Sequence, residues 1–120
     1  MHQTIFTHLA KSFTNAFKGL IYVWREERNF RIQTIVAVLV LLGLWWFGFS
    51  YIDLALSVFA IVLVLAAEVT NTAFEDTMNR IEPNADPLIG RIKDIAAGVV
   101  VLNVIGALVI AGIVILNRFW

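Results

Sequence analysis

Residues 54–80 have the sequence LALSVFAIVLVLAAEVTNTAFEDTMNR, in which an apolar run passes directly into a polar one. The run 54–67 is too short to cross a membrane alone, because a helix rises about 1.5 Å per residue and the hydrocarbon core is about 30 Å thick. Extended back to Tyr51 and on through Glu68, it becomes a spanning helix. Its last turns carry a set of polar side chains within an arc of roughly 100°: Glu68, Asn71, Thr72, Glu75 and Asn79.

A polar face of this kind is costly in lipid unless it faces a protein interior or a wet cavity. We therefore predict that it lines an active site. Mg²⁺ usually takes one or two carboxylates and completes its shell with substrate phosphates. We expect Glu75, nearer to water, to be the metal ligand and Glu68, set deeper, to be the base for a lipid hydroxyl. The alternative is that these groups only form hydrogen bonds between helices.

The composition is typical of a membrane protein. Hydrophobic residues make up 60% of the 120 residues, and this length predicts one domain, 1–120. The formal net charge is zero, which argues against a nucleic-acid partner. The chain contains no cysteine, which excludes disulfides and thiolate metal sites.

The chain is predicted to be an all-α membrane protein with three transmembrane helices and an N-terminal amphipathic surface helix. The surface helix has apolar residues at spacings of three and four, so we expect it to lie flat in the membrane interface. A soluble helix is the alternative, but the rest of the chain offers no soluble core for it. The predicted segments are 5–30 for the surface helix and 32–49, 51–79 and 92–116 for the spans, with Pro83 and Pro87 ending helical structure in the last loop.

The basic residues predict the orientation of the spans. Only Arg118 lies on one side of the membrane, and eight basic residues flank the other side. The positive-inside rule therefore places the surface helix and the 80–94 loop in the cytoplasm, where ATP is available. The eight residues are Lys11, Lys18, Arg25, Arg28, Arg31, Arg80, Arg91 and Lys93.

The chain resembles the small bacterial integral-membrane lipid kinases, diacylglycerol kinase and undecaprenol kinase. Their signature is approximately Glu-x-x-Asn-(Ser/Thr)-Ala-x-Glu-x-x-x-Asp, and here it runs from Glu68 to Asn79. Three further motifs fit in the same order, so the resemblance covers nearly the whole chain. They are Lys18-Gly19-Leu20, Trp24-x-x-Glu27-x-x-Phe30-Arg31 and Gly90-Arg91-x-Lys93-Asp94.

The resemblance implies a homotrimer in the bacterial cytoplasmic membrane that uses Mg²⁺ with ATP and shares its active sites between neighbouring subunits. It also implies roles for individual residues, and the spacing from Trp24 to Phe30 selects Glu27 over Glu26. By position, the expected sets are Glu68 and Asn71 for catalysis; Glu27 and Glu75 for the metal; Lys93, Asp94, Asn15, Asn79, Asn84 and Asp86 for the nucleotide; and Lys18 and Glu68 for the lipid or its phosphate.

The last position of the signature departs from the family, which usually has aspartate where Asn79 stands. An amide keeps a carbonyl acceptor but loses the charge. A metal or nucleotide contact made there is therefore expected to be weaker, and Asp76 at the edge of the face is a candidate to compensate. This predicts that Asn79→Asp changes the apparent affinity for MgATP.

The expected function is ATP-dependent phosphorylation of a membrane lipid alcohol, most directly diacylglycerol to phosphatidic acid. Undecaprenol is the alternative substrate, favoured by the Arg-Asn-Phe-Arg stretch at 28–31 and by the Asn-Thr-Ala core of the signature. A third possibility is a non-catalytic scaffold or a transporter component. A transporter needs ionisable groups along a path through the bilayer. Here the ionisable groups cluster at one interface, and only the amide of Asn103 lies deep in a span.

Overall fold

The computed structural model describes residues 4–120, which form four α-helices. They are α1 (Ile5–Glu26), α2 (Arg28–Trp46), α3 (Tyr51–Ile81) and α4 (Pro87–Phe119). Helices α2, α3 and α4 are each long and apolar enough to cross a membrane. Helix α1 is amphipathic, and apolar side chains along it, such as Phe13 and Phe17, are exposed. The predicted all-α class, with three candidate spans and an N-terminal amphipathic helix, is confirmed.

The predicted surface helix, 5–30, is interrupted at Glu27, whose backbone is extended (φ −106°, ψ 103°). The guanidinium of Arg31 donates through Nη1 to the carbonyl oxygens of Trp24 (2.8 Å) and Arg25 (2.7 Å). These carbonyls belong to the last turn of α1, where intrahelical partners are missing. The Trp24 and Phe30 rings also meet edge to face, with centroids 6.4 Å apart. The first span therefore begins at Arg28, four residues before the predicted start.

Helix α2 ends at Trp46 in a Schellman motif. The Gly48 N–H donates to the Trp45 carbonyl (3.2 Å) and the Phe49 N–H to the Leu44 carbonyl (3.0 Å). Gly48 has a positive φ of 72°, a conformation that glycine adopts without the strain a Cβ brings. The Oγ of Ser50 then accepts from the Asp53 N–H (3.1 Å) and caps α3. Helix α2 thus ends three residues before 49, the predicted end of the first span.

The loop between α3 and α4 is shorter than predicted, because α3 continues to Ile81 and α4 begins at Pro87. Pro87 does not end a helix here. It occupies the first turn of α4, where a backbone N–H has no intrahelical partner and its absence costs little. Asp86 caps this turn, since its Oδ1 accepts from the N–H groups of Leu88 (2.9 Å) and Ile89 (3.1 Å).

The four helices form a thin slab of 54 × 47 × 21 Å. Helix α3 packs most extensively on α4 and less on α2, and α1 contacts α2 and α3. Among the described residues no large side chain is fully buried, and the buried apolar side chains are few: Val23, Phe30, Ala37, Ala60, Ala67 and Val114. Most apolar surface of the spans therefore needs lipid or another protein surface to cover it.

Arg118 joins the end of α4 to the turn between α2 and α3. Its Nη2 donates to the Phe47 carbonyl oxygen (2.9 Å), and its guanidinium carbon lies 5.4 Å from the centroid of the Phe49 ring. A cation over an aromatic face is attracted to it. This contact ties the end of α4 to the turn between α2 and α3, away from the polar end of α3.

Candidate active site

The polar face of α3 turns toward the other helices and becomes more exposed toward its end. Glu68 and Thr72 are buried, with 7% and 4% of their surface accessible. Asn71 and Glu75 are half-buried, and Asn79 is exposed. The Thr72 hydroxyl donates to the Glu68 carbonyl oxygen (3.0 Å), so it is satisfied within its own helix. The face thus runs from a protected carboxylate to open solvent.

The carboxylates of Glu27 and Glu75 lie close enough to act electrostatically on that of Glu68. The structure therefore brings together the predicted base and the predicted metal pair, from α3 and from the break between α1 and α2. Three like charges in one region favour the binding of a cation among them. The spacing of Glu68 and Glu75 along α3 is enough to group these two residues. The approach of Glu27 to Glu68 is a tertiary contact, which spacing along one helix does not predict.

Glu27 is suited to hold a ligand because its side chain is not used in the helix break. Glu27 is both the C-cap of α1 and the N-cap of α2, yet its carboxylate makes no capping hydrogen bond. Among residues 4–120, no group of three or more His, Cys, Asp or Glu side chains could hold a metal ion by itself. Two carboxylates, Glu27 and Glu75, fit Mg²⁺, which keeps waters and takes substrate phosphates as further ligands.

Gln33 of α2 belongs to this site, although the sequence analysis did not single it out. Its side chain is a hydrogen-bonding neighbour of the Glu68 carboxylate, and its Oε1 is buried without a hydrogen-bond partner. A buried acceptor without a partner is costly, so it is available to a donor on a ligand. The sequence did contain a signal for this role, because Gln33 places a polar amide one residue after the start of the predicted apolar span 32–49.

Tyr22 of α1 was also missed, and it marks where α1 meets the polar end of α3. The Asp76 carboxylate raises the pKa of the Tyr22 phenol, and burial and the carboxylates of Glu26 and Glu27 raise it further. The phenol therefore stays protonated and can donate a hydrogen bond. Asp76, the predicted edge residue of the polar face, lies on the side of α3 that α1 approaches.

Asn71 borders a cavity of about 170 Å³ between α3 and α4. Its Oδ1 is buried and has no hydrogen-bond partner within residues 4–120. The rest of the lining is mostly apolar, with Phe74, Ile95 and Val99 among it. This geometry gives the predicted catalytic asparagine an unused acceptor one turn from Glu68.

Three of the predicted nucleotide residues come together around the loop that follows α3. Asn84, Asp86 and Lys93 line one cavity of about 470 Å³. The Nζ of Lys93 donates to the Oδ1 of Asn79, so a fourth member is bonded to this group. Asp86 also has the capping role described above, and Asp94 is exposed beside Lys93.

Asn15 and Lys18 stand apart from these groups. Both are exposed on α1, at least a full turn before Tyr22. The single chain thus forms two clusters, one of carboxylates at Glu68 and one around Lys93, and each includes at least one residue from the polar end of α3. The roles of Asn15 and Lys18 stay predictions.

Comparison with known proteins gives a consistent result. A family model described as prokaryotic diacylglycerol kinase matches residues 14–115. The diacylglycerol kinase of Escherichia coli K12 is 28% identical over 97% of this chain and 95% of its own length. That of Haemophilus influenzae is 32% identical over 90% of this chain and 88% of its own. The undecaprenol kinase of Bacillus subtilis is 30% identical over 98% and 95%.

Proposed function

Since this chain belongs to the prokaryotic diacylglycerol kinase family and is therefore a lipid kinase of a bacterial membrane, we propose that it phosphorylates a lipid alcohol at the cytoplasmic interface with MgATP. The observation that carries this proposal is the burial of Glu68 beside Gln33, within electrostatic reach of Glu27 and Glu75. A lipid hydroxyl reaches such a group from the bilayer, and the nucleotide reaches it from water.

The proposed reaction is a direct phosphoryl transfer. The Glu68 carboxylate accepts the proton of the lipid hydroxyl, whose oxygen then bonds to the γ-phosphorus as the bond to the β–γ bridging oxygen of ATP breaks and ADP leaves. The unpartnered oxygens of Gln33 and Asn71 are acceptors that can orient the hydroxyl before transfer. Such catalysis depends mainly on positioning and charge stabilisation.

Glu27 and Glu75 are the residues that would hold Mg²⁺. A Mg²⁺ ion held by them would offset the negative charge that develops on the phosphate oxygens during transfer. The free carboxylate of Glu27 supports this assignment, because the helix break fixes its backbone without using its side chain.

Lys93 is proposed to contact the phosphates of the nucleotide, because an ammonium is a compact point charge. Asp94, Asn84 and Asp86 lie near it and offer acceptors for the amine or hydroxyl groups of a nucleoside, and Asn79 accepts a hydrogen bond from its Nζ. The cavity that Asn84, Asp86 and Lys93 share supports this grouping. Asn15 and Lys18 are proposed to complete the nucleotide and lipid-phosphate contacts from α1.

Diacylglycerol is the first candidate for the lipid, and undecaprenol is the second. The relatives that carry these two names have similar identity to this chain, 28–32% and 30%. Identity therefore does not separate the substrates, whose hydroxyl groups present the same chemistry to Glu68.

A homotrimer with active sites shared between subunits is part of the proposal. The thin slab and its exposed apolar faces support an assembly in which subunits cover part of each other's surface. In such a trimer, Asn15 and Lys18 of one subunit can reach the active site of a neighbouring subunit. In the single chain they lie apart from both clusters.

The polar side chains within the spans favour a kinase over a transporter. The Asn103 amide donates to the Val99 carbonyl (2.8 Å), and the Ser57 hydroxyl donates to the Asp53 carbonyl (2.8 Å). These groups are satisfied in their own helices and do not form a path for an ion or a polar solute.

The test is transfer of label from γ-labelled ATP to a panel of lipid alcohols that includes diacylglycerol and undecaprenol. We expect Glu68→Gln to abolish transfer to the best lipid and to leave the assembly mass and melting temperature unchanged. Glu26→Gln makes the same chemical change at an exposed position next to Glu27, and it should keep most activity. Normal turnover by Glu68→Gln would refute the base assignment, and no labelled lipid from the unsubstituted protein would favour the scaffold.

A further inference from the structure

A hydrogen bond between α3 and α4 holds the one lysine that lines the loop cavity. The Nζ of Lys93 donates to the Oδ1 of Asn79, which lies in the last turn of α3. Lys93 is half-buried and borders the cavity with Asn84 and Asp86. Because the two residues are 14 positions apart and lie on different helices, the bond fixes a long flexible side chain at the edge of the cavity.

The acceptor in this bond carries no charge. An ammonium has three donors, so one bond to an amide oxygen leaves two for other acceptors. The positive charge of Lys93 also stays uncompensated by Asn79. The carboxylate that lines the same cavity, that of Asp86, has its Oδ1 engaged by two backbone N–H groups at the start of α4. The ammonium is thus positioned by a neutral partner and presented to the cavity.

We propose that Asn79 is a positioning residue that acts through Lys93: it fixes the ammonium with a neutral acceptor and so keeps the full positive charge for the phosphates of the bound nucleotide. This inference rests on the proposed function, since it takes the ligand of Lys93 to be a nucleotide. It differs from a role in which Asn79 itself contacts the metal or the nucleotide, and the two roles predict opposite effects of adding a charge at this position.

Asn79→Asp is the decisive substitution because it keeps the shape and adds a negative charge. It converts the hydrogen bond into an ion pair with Lys93 and places an anion near the phosphates. Exposed pairs of this kind have modest energies, so we expect ATP to bind about two- to fivefold more weakly. The loss should decrease from ATP to ADP to AMP as phosphates are removed. KM for MgATP should rise with little change in kcat, which is the pattern of lost uniform binding.

Two companion variants separate positioning from a general structural role. Asn79→Gln keeps a neutral acceptor and should bind ATP more tightly than Asn79→Asp does. In a Lys93→Met background, Asn79→Asp should lose most of its effect, because the group on which it acts is absent. Asn117→Asp makes the same chemical change at an exposed residue near the opposite end of α4, and it should leave nucleotide affinity unchanged.

The experiment is equilibrium binding of ATP, ADP and AMP, with Mg²⁺, to the full chain in detergent, alongside steady-state lipid phosphorylation. Weaker binding that depends on phosphate number and on Lys93 supports the inference. Equal or tighter binding of ATP by Asn79→Asp overturns it. Asn79→Glu supplies the same charge on a longer side chain, and it replaces Asn79→Asp in every comparison should that variant not assemble.

The outcomes also separate this inference from the proposed function. Lipid phosphorylation by the unsubstituted protein together with unchanged ATP affinity in Asn79→Asp would overturn the inference alone. The expected binding pattern without phosphorylation of any lipid alcohol would overturn the proposed function and leave the positioning role supported. A chain that binds no nucleotide contradicts both.

Discussion

At the scale of single residues, Arg31 holds the helix break beside the carboxylate cluster without belonging to the cluster. Its guanidinium bonds to the carbonyl oxygens of Trp24 and Arg25 across the break at Glu27. Arg31 thereby fixes the angle between α1 and α2. Since Glu27 is the residue at the break, these bonds from Arg31 to the end of α1 also fix the backbone that carries the Glu27 carboxylate.

We expect Arg31→Ala to destabilise the fold by about 1–3 kcal/mol, because two carbonyl groups lose a charged donor. The Mg²⁺ concentration for half-maximal activity should also rise, since Glu27 is held less firmly. Thermal unfolding in detergent and a Mg²⁺ titration measure the two effects. The matched control is Arg28→Ala, an exposed arginine three residues earlier. Equal losses in the two variants would show that Arg31 contributes only charge.

The placement of residues on a common face was predictable where it depends on spacing within one helix. The positions of Glu68, Asn71 and Glu75 on one face follow from helical periodicity, and their burial agrees with it. The bond between Asn79 and Lys93 and the approach of Gln33 to Glu68 were not predictable. Each joins two helices, and a local pattern carries no information about how helices rotate against one another.

At the scale of elements, the turn between α2 and α3 depends on one glycine. Gly48 has φ 72°, and its N–H and that of Phe49 satisfy two carbonyls at the end of α2. Arg118 then bonds to the Phe47 carbonyl in the same turn. The turn therefore joins three helices, and its geometry requires a residue with a left-handed backbone conformation at position 48.

We expect Gly48→Ala to lower stability by about 1–2 kcal/mol, the usual cost of a Cβ in the left-handed region. The control is Gly43→Ala in the interior of α2, where an added Cβ meets nothing within 4 Å. That change should be neutral or gain up to about 1 kcal/mol, because alanine is the better helix former. Melting temperatures in one detergent compare them, and a stable Gly48→Ala would contradict the requirement for glycine.

Helix ends were the least predictable part of the fold. Apolar length identified the three spans because it depends on composition alone. The break at Glu27 and the start of α4 at Pro87 depend instead on caps, in which one side chain meets one backbone group. Pro87 illustrates the ambiguity, because proline ends helices in their interior and is favoured in their first turn.

At the scale of the whole molecule, both candidate clusters lie toward one edge of the slab and Arg118 lies at the opposite end of the spans. The positive-inside rule, applied to the basic residues near the clusters, predicts that this edge faces the cytoplasm. Because the chain contains no cysteine, labelling of single introduced cysteines tests this orientation directly.

Ala85→Cys in the loop before α4 should react with a membrane-impermeant maleimide only in inside-out vesicles. Tyr51→Cys at the start of α3 should react only in right-side-out vesicles. Both residues are exposed, and Tyr51 is 87% accessible. Protein solubilised in detergent is the control, in which both cysteines react. Labelling of Ala85→Cys from the outer side would reverse the proposed orientation.

The thinness of the slab has a practical consequence for purification. Few side chains are shielded by the chain itself, so the hydrocarbon tails of the surrounding lipid or detergent provide most of the apolar contacts that stabilise it. A detergent whose tails are too short to cover the helices leaves part of their apolar surface exposed to water. Melting temperatures of this kinase are therefore comparable only within one detergent, and the choice of detergent is expected to outweigh most single substitutions.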